Sequence, residues 1–257
     1  MATYKKRGSK PKTKGEKIHD IETGSKTAEV FNTLDETASK TEAFVEKNQK
    51  LIFITIGVVA AIVLGYLGYS EFIAKPKQAT AMNDMFQAQK YFDQAVNSVE
   101  KDSLFNLALN GGEGKFGMLD IISEYSGTPA ANLANYYAGT AYLKLKDYKN
   151  AVKYLSDFSS EDEVLAPLAK GNIGDAFVQL NQLDDALEYY DQAAKMRDND
   201  YTTPMYLYKA GTVALDLGKA DKALTYFETI KEKYPNASEI AMVDVLIGKA
   251  KVLANKY

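Results

Sequence analysis

Three segments share one frame: YYAGTAYLKLKDYKNAVKYLSDF at residues 136–158, GNIGDAFVQLNQLDDALEYYDQA at 171–193 and YKAGTVALDLGKADKALTYFETI at 208–230. Aligned on Gly139, Gly174 and Gly211, each places an alanine twelve positions later, at Ala151, Ala186 and Ala223. A large side chain follows four positions beyond, at Leu155, Tyr190 and Phe227. The glycines lie 35 and 37 residues apart, and a further step of 37 reaches Gly248. Self-similarity at such a period is the mark of stacked supersecondary units. Here each unit reads as a helical hairpin. Glycine in the first helix and alanine in the second allow a close crossing, and the bulky residue one turn on fills the space between them.

The punctuation agrees with that reading. Polar breaks at 146–147, 181–184 and 218–221 offer Asp147, Asp184 and Asp221 as caps for the second helices. Pro129 after Thr128 and Pro204 after Thr203 stand at expected helix starts, where a missing N–H costs nothing, and Pro235 closes the third unit. The hairpins resemble tetratricopeptide repeats. Small residues occupy the eighth and twentieth places of each unit, and an aromatic or aliphatic residue the twenty-fourth; the third unit adds its closing proline. Tyr142 and Phe177 fill the eleventh place of the first two units. The departures are the lack of tryptophan, two missing closing prolines and a slightly long period.

On either side the pattern continues. Residues 77–99 predict a helix burying Met82, Met85, Phe86, Phe92, Val96 and Val99. Beyond a break at 100–103, LFNLALNGGEGKFGMLDIISEYSGT reads as a degenerate first hairpin, and 237–255 as a capping helix. The repeat domain is therefore expected over 77–257 as a solenoid of about nine helices.

A different solvent governs the stretch before it. LIFITIGVVAAIVLGYLGYS, residues 51–70, holds no charge between Lys50 and Glu71. Twenty helical residues at about 1.5 Å each span about 30 Å, the depth of a bilayer's hydrocarbon core. Roughly fifty hydrophilic residues precede the run, so a retained anchor fits better than a cleaved signal peptide, although Gly68 and Ser70 could imitate a cleavage site. Gly57, Ala61 and Gly65 form a small-residue stripe that could admit a partner helix. The run has no ionisable group to carry an ion or proton.

Charge sets the expected direction of insertion. Residues 1–50 hold eleven Lys/Arg against eight Asp/Glu, with seven of the eleven in the first seventeen residues; beyond Ser70 the balance is 20 against 26. Positive segments stay in the cytoplasm, so the repeat domain is expected outside, although Lys40, Lys47 and Lys50 are matched by Lys75, Lys77 and Lys90 across the anchor. Residues 1–26 predict a disordered basic cytoplasmic tail, and 27–50 an amphipathic helix on Phe31, Leu34, Ala38, Thr41 and Val45.

Enzyme chemistry finds no support. NGGEGK at 110–115 lacks the first glycine of a phosphate loop (Leu109) and its closing Ser/Thr (Phe116). His19 is the single histidine, and cysteine is absent, so neither a metal site nor a histidine relay is expected. The acidic clusters at 161–163 and 184–185 fit helix starts. No cofactor and no small-molecule substrate are expected. The repeat domain's net −6 would repel nucleic acid and suits a basic or polar protein partner.

The resemblance to tetratricopeptide repeats implies where a partner would sit. Its ligand-facing places, carried onto this chain, include Tyr136, Thr140 and Lys144, then Asp175 and Gln179, then Tyr208, Thr212 and Asp216; Tyr136 and Tyr208 read equally well as packing residues. The order of parts over residues 45–257, most of all ALNGGEGKFGMLDIISEYSGTPAANLANYYAGTAYLKLKDYKNAV (108–152), resembles the YfgM-like proteins. Those are bacterial inner-membrane accessories of the Sec translocon with a periplasmic repeat domain. That resemblance implies contacts with Sec channel subunits and with periplasmic folding factors or nascent secreted proteins. Two other readings stand beside it: a scaffold of another envelope secretion or cell-wall complex, or a cytoplasm-facing receptor inserted the opposite way. The long tail departs from the short one expected in that family. The expected fold class is all-α: a single transmembrane helix followed by a tetratricopeptide-like, right-handed hairpin solenoid.

Overall fold

The computed structural model describes residues 26–255. The tail of residues 1–25, with His19 and the basic cluster, lies outside the described residues, as does the side chain of Phe31. The chain divides into two compact units between Tyr69 and Ser70.

Among its described residues the first unit is one helix, α1 (Lys26–Tyr69), of 44 residues. It runs through Lys50 and Leu51 without a break, so the polar and apolar halves share one backbone. One helical stretch among the described residues is long and apolar enough to cross a membrane, and none of its apolar window is buried against other parts of the protein. Thr55 donates its hydroxyl to the Leu51 carbonyl at 2.8 Å, so this polar group is satisfied inside the helix.

The second unit opens with a π-helical turn, Ser70–Ala74, and continues through α2 (Lys75–Val96), α3 (Lys101–Asn110) and α4 (Met118–Glu124). The hairpins follow: α5 (Pro129–Lys144) with α6 (Tyr148–Asp157), α7 (Leu165–Gln179) with α8 (Leu183–Met196), and α9 (Thr202–Asp216) with α10 (Ala220–Lys233). Helix α11 (Ile240–Leu253) ends the described stack. Among the described residues no strand forms; a lone bridge joins Gly112 to Lys115 in the glycine-rich loop. The fold is all-α, with a tetratricopeptide helical repeat region beyond one long apolar helix.

Each second helix packs against the first helices before and after it, and the first helices α5, α7 and α9 touch one another along an inner row. The packing rests on the spacing read from the sequence. A Cβ built on Gly139 would lie 2.6 Å from Leu155 Cγ, on Gly174 2.7 Å from Tyr190 Cδ1, and on Gly211 2.6 Å from Phe227 Cε1. Any side chain at these glycines would push the paired helix away.

Several details differ from the sequence reading. The second unit has ten helices among the described residues rather than about nine, because the degenerate hairpin separates into α3 and the short α4. The loop between them turns on left-handed backbone at Gly111, Glu113 and Gly114. Helix α2 buries Ala81, Met85, Ala88, Tyr91, Phe92 and Ala95, but leaves Met82, Phe86 and Val96 exposed, with Val99 beyond it. The buried stripe runs through Ala81, Met85, Ala88, Phe92 and Ala95, where the alanines leave room for α3 and α5. Asp147 does cap α6, accepting from Asn150 N at 3.2 Å, and Thr128 caps α5, accepting from Ala131 N at 3.2 Å. Asp184 and Asp221 sit instead in the first turns of α8 and α10, where their charge favours the helix dipole, and the N-cap places fall to Gln182 and Lys219.

Candidate protein-docking surface

The inner row of first helices carries the residues expected to face a partner. Lys144, Asp175 and Gln179 come together around an open cavity of about 350 Å³, with Leu143, Lys146, Tyr148, Val178 and Tyr190 completing its wall. Lys144 ends α5 and Gln179 ends α7, so the cavity opens between the C-terminal turns of neighbouring first helices. Two apolar residues, a phenol pair and charges of both signs line one hollow. That mixture suits a polypeptide, which offers backbone polar groups and side chains together.

Asp175 is held rather than free. It accepts from the Tyr190 hydroxyl at 2.5 Å and from Lys209 Nζ at 2.7 and 2.8 Å through its two oxygens. The Tyr190 and Tyr206 rings stack with centroids 6.1 Å apart, and the Lys209 ammonium lies 5.6 Å from each. Burial and then the Asp175 carboxylate push both phenols well above the ordinary tyrosine range. They therefore stay neutral, and Tyr190 acts as a donor to the carboxylate.

The other expected residues divide. Tyr136 is half-buried, its ring 5.3 Å from Phe158 and 6.0 Å from Tyr137, and burial raises its pKa against the opposing effect of the nearby Thr140 hydroxyl. Asn135 Oδ1 is a buried atom with no hydrogen-bond partner among the described residues. Tyr208 leans on Phe227 at 6.2 Å, and Thr212 returns its hydroxyl to the Tyr208 carbonyl at 2.9 Å. Asp216 is exposed at the end of α9. None of these five lines the cavity around Asp175. In the first unit, Gly57, Ala61 and Gly65 are all exposed along α1.

Two further hollows escaped the sequence reading. One of about 990 Å³ lies over α2, α3 and α5, lined by Phe86, Lys90, Asp93, Leu104 and Tyr137 among others. Another of about 520 Å³ lies between α8 and α10. Along its wall Tyr226 donates to Asp191 at 2.7 Å and Tyr234 to Asp198 at 2.5 Å. Each pair spans one repeat length, 35 and 36 residues. That complementarity at the repeat interval is the signal that could have found them. Among the described residues no cluster of three His, Cys, Asp or Glu could hold a metal ion.

No curated protein matches the chain. Residues 133–162 and residues 172–238 each match a tetratricopeptide-repeat model. The two matches begin inside α5 and α7 and take in the hairpins whose glycines meet Leu155, Tyr190 and Phe227. The chain thus carries tetratricopeptide repeats, which imply a protein–protein interaction module.

Proposed function

We propose that this protein is a membrane-anchored docking module accessory to the Sec protein-translocation channel. Its repeat domain, on the periplasmic side of the bacterial inner membrane, contacts the channel, emerging chains or folding helpers. The observation that carries a docking role is the open hollow of Lys144, Asp175 and Gln179 on the inner row, preformed because Tyr190 and Lys209 already fix its carboxylate. A surface ordered before binding loses less entropy when a partner arrives. The apolar stretch of α1 supports a membrane location, and the lysine-rich segment before it supports a cytoplasmic N-terminus. The link to the Sec channel rests on the likeness of the whole arrangement to YfgM-like proteins.

Purification of the full chain from membranes in mild detergent tests the proposal. Sec channel subunits are expected to accompany it; their reproducible absence contradicts the assignment. Protease added to cells stripped of their outer wall should cut the repeat domain. Protection until the inner membrane is opened would mean the opposite insertion.

A further inference from the structure

Among the described residues the most exposed aromatic side chain is Phe72, at 83%, and Ile73 beside it is 55% exposed. Both belong to the π-helical turn that opens the second unit, in which no residue is buried. Helix α2 buries its first residue only at Ala81, so the domain that follows leaves these two side chains uncovered.

Their place in the chain says what covers them. Phe72 and Ile73 stand two and three residues past Ser70, the end of the uncharged run. At about 1.5 Å per residue that is about 3–5 Å beyond the hydrocarbon core, and the headgroup layer on each side of a bilayer is about 5–7 Å deep. The π-turn and Pro76, in the first turn of α2, mark the same boundary: backbone that leaves regular α-helical bonding is better served in a hydrated layer than in hydrocarbon. The other end of the run is closed differently, by KNQK at residues 47–50, which holds no apolar side chain.

We infer that Phe72 and Ile73 form a second membrane contact, seated in the lipid headgroup layer on the side that carries the repeat domain. The inference rests on the membrane location proposed above and needs no partner protein. Charge permits it. Glu71 pairs with Lys75 one turn on, so neither enters that layer as a lone charge. Tyr66 and Tyr69 precede Phe72 at steps of three along the sequence, and tyrosine favours the same layer. Lys77 donates to the Ser126 carbonyl at 3.2 Å, and the Ala130 N–H donates to Gln78 at 2.9 Å. These bonds tie α2 to the connection between α4 and α5 within four residues of Ala74. The contact therefore sets the repeat domain on the lipid with no free stalk between them.

The chain has no tryptophan, so one substitution supplies an indole probe without background. The full chain, reconstituted in phosphatidylcholine vesicles, would carry Phe72→Trp, Val59→Trp near the middle of the apolar run, or Asn83→Trp on the exposed side of α2. Lipid brominated just below the headgroups should quench Phe72→Trp about threefold more than Asn83→Trp, which lies about 16 Å further along the helix. Lipid brominated near the chain ends should quench Val59→Trp most. Adding Ile73→Asp to Phe72→Trp should roughly halve the shallow quenching without loss of helicity, because a carboxylate draws the turn toward water. Ile73 has no buried contact to lose, so this variant should fold. Phe72→Trp quenched no more than Asn83→Trp, with Val59→Trp still quenched from the bilayer centre, would overturn the inference and leave the anchor standing. So would shallow quenching that Ile73→Asp does not change. Val59→Trp untouched by either lipid would overturn the membrane location and the inference with it.

Discussion

The ring of Tyr206 lies across Gly171: a Cβ built on the glycine would sit 1.8 Å from Tyr206 Cε1 and 2.0 Å from Cζ. Tyr206 is 1% exposed and belongs to the next repeat, so this contact joins two hairpins rather than the two helices of one. It brings α9 against α7 and places Lys209, on the same helix as Tyr206, over Asp175. The hollow on the inner row thus depends on a glycine that never touches it.

Gly171→Ala should destabilise the repeat domain by about 1–3 kcal/mol, because the buried ring has no room to move. Gly248→Ala should instead stabilise α11 by up to about 1 kcal/mol, since alanine favours the helix and meets nothing. Urea unfolding of the two variants beside the parent chain checks the opposite signs.

Lys209→Met should cost about 1 kcal/mol, leaving the half-buried Asp175 with the Tyr190 hydroxyl alone. Asp175→Asn in that background should cost less than in the parent, since the lysine no longer needs its partner. A double-mutant cycle by denaturant unfolding measures this coupling.

Alkali should unfold the domain through its buried phenols. Burial and the Asp198 carboxylate raise Tyr234 to about 12 from 10.0, and Tyr190, Tyr206 and Tyr226 are also raised. A raised folded-state pKa contributes stability that is complete below pH 10 and is lost as pH climbs toward 12. With 18 tyrosines and no tryptophan, tyrosinate absorbance should show an early exposed class and a late class that ionises together with loss of helix. At the acid end the sign reverses. Burial pushes Asp191 up, but hydrogen bonds from Lys195 and Tyr226, with the charges of Lys195 and Lys222, outweigh it and hold the group below 3.8. Its contribution is present above pH 3.8 and fades as pH falls through its lowered value, so Tyr226→Phe should flatten the acid limb of the stability curve.

The contacts within a hairpin were readable in the sequence because glycine, alanine and the bulky residue recur at fixed offsets three times. Those between hairpins were harder. Gly171 against Tyr206 occurs once, so no repetition announces it, and the Tyr226–Asp191 and Tyr234–Asp198 bonds require pairing residues a whole repeat apart. The inner row was read from the likeness to a known repeat. Three of its expected residues share one hollow, while Tyr136 and Tyr208 rest against Phe158 and Phe227. An aromatic side chain at such a place serves packing and display equally well, and the residue type alone does not separate them. On α2 the expectation held in part: Met85 and Phe92 are buried, whereas Met82, Phe86 and Val96 stay exposed because the buried stripe runs on through Ala81, Ala88 and Ala95.

A photoreactive amino acid placed at Gln179, on the inner row, and at Glu188, on the outer helix of the same hairpin, tests the central claim in intact membranes. Protein adducts should form from position 179, depend on the Asp175–Lys209 pair, and be scarce from 188. Adducts from 188 alone, or none from 179 under conditions that label the rest of the surface, would contradict a docking role for the inner row.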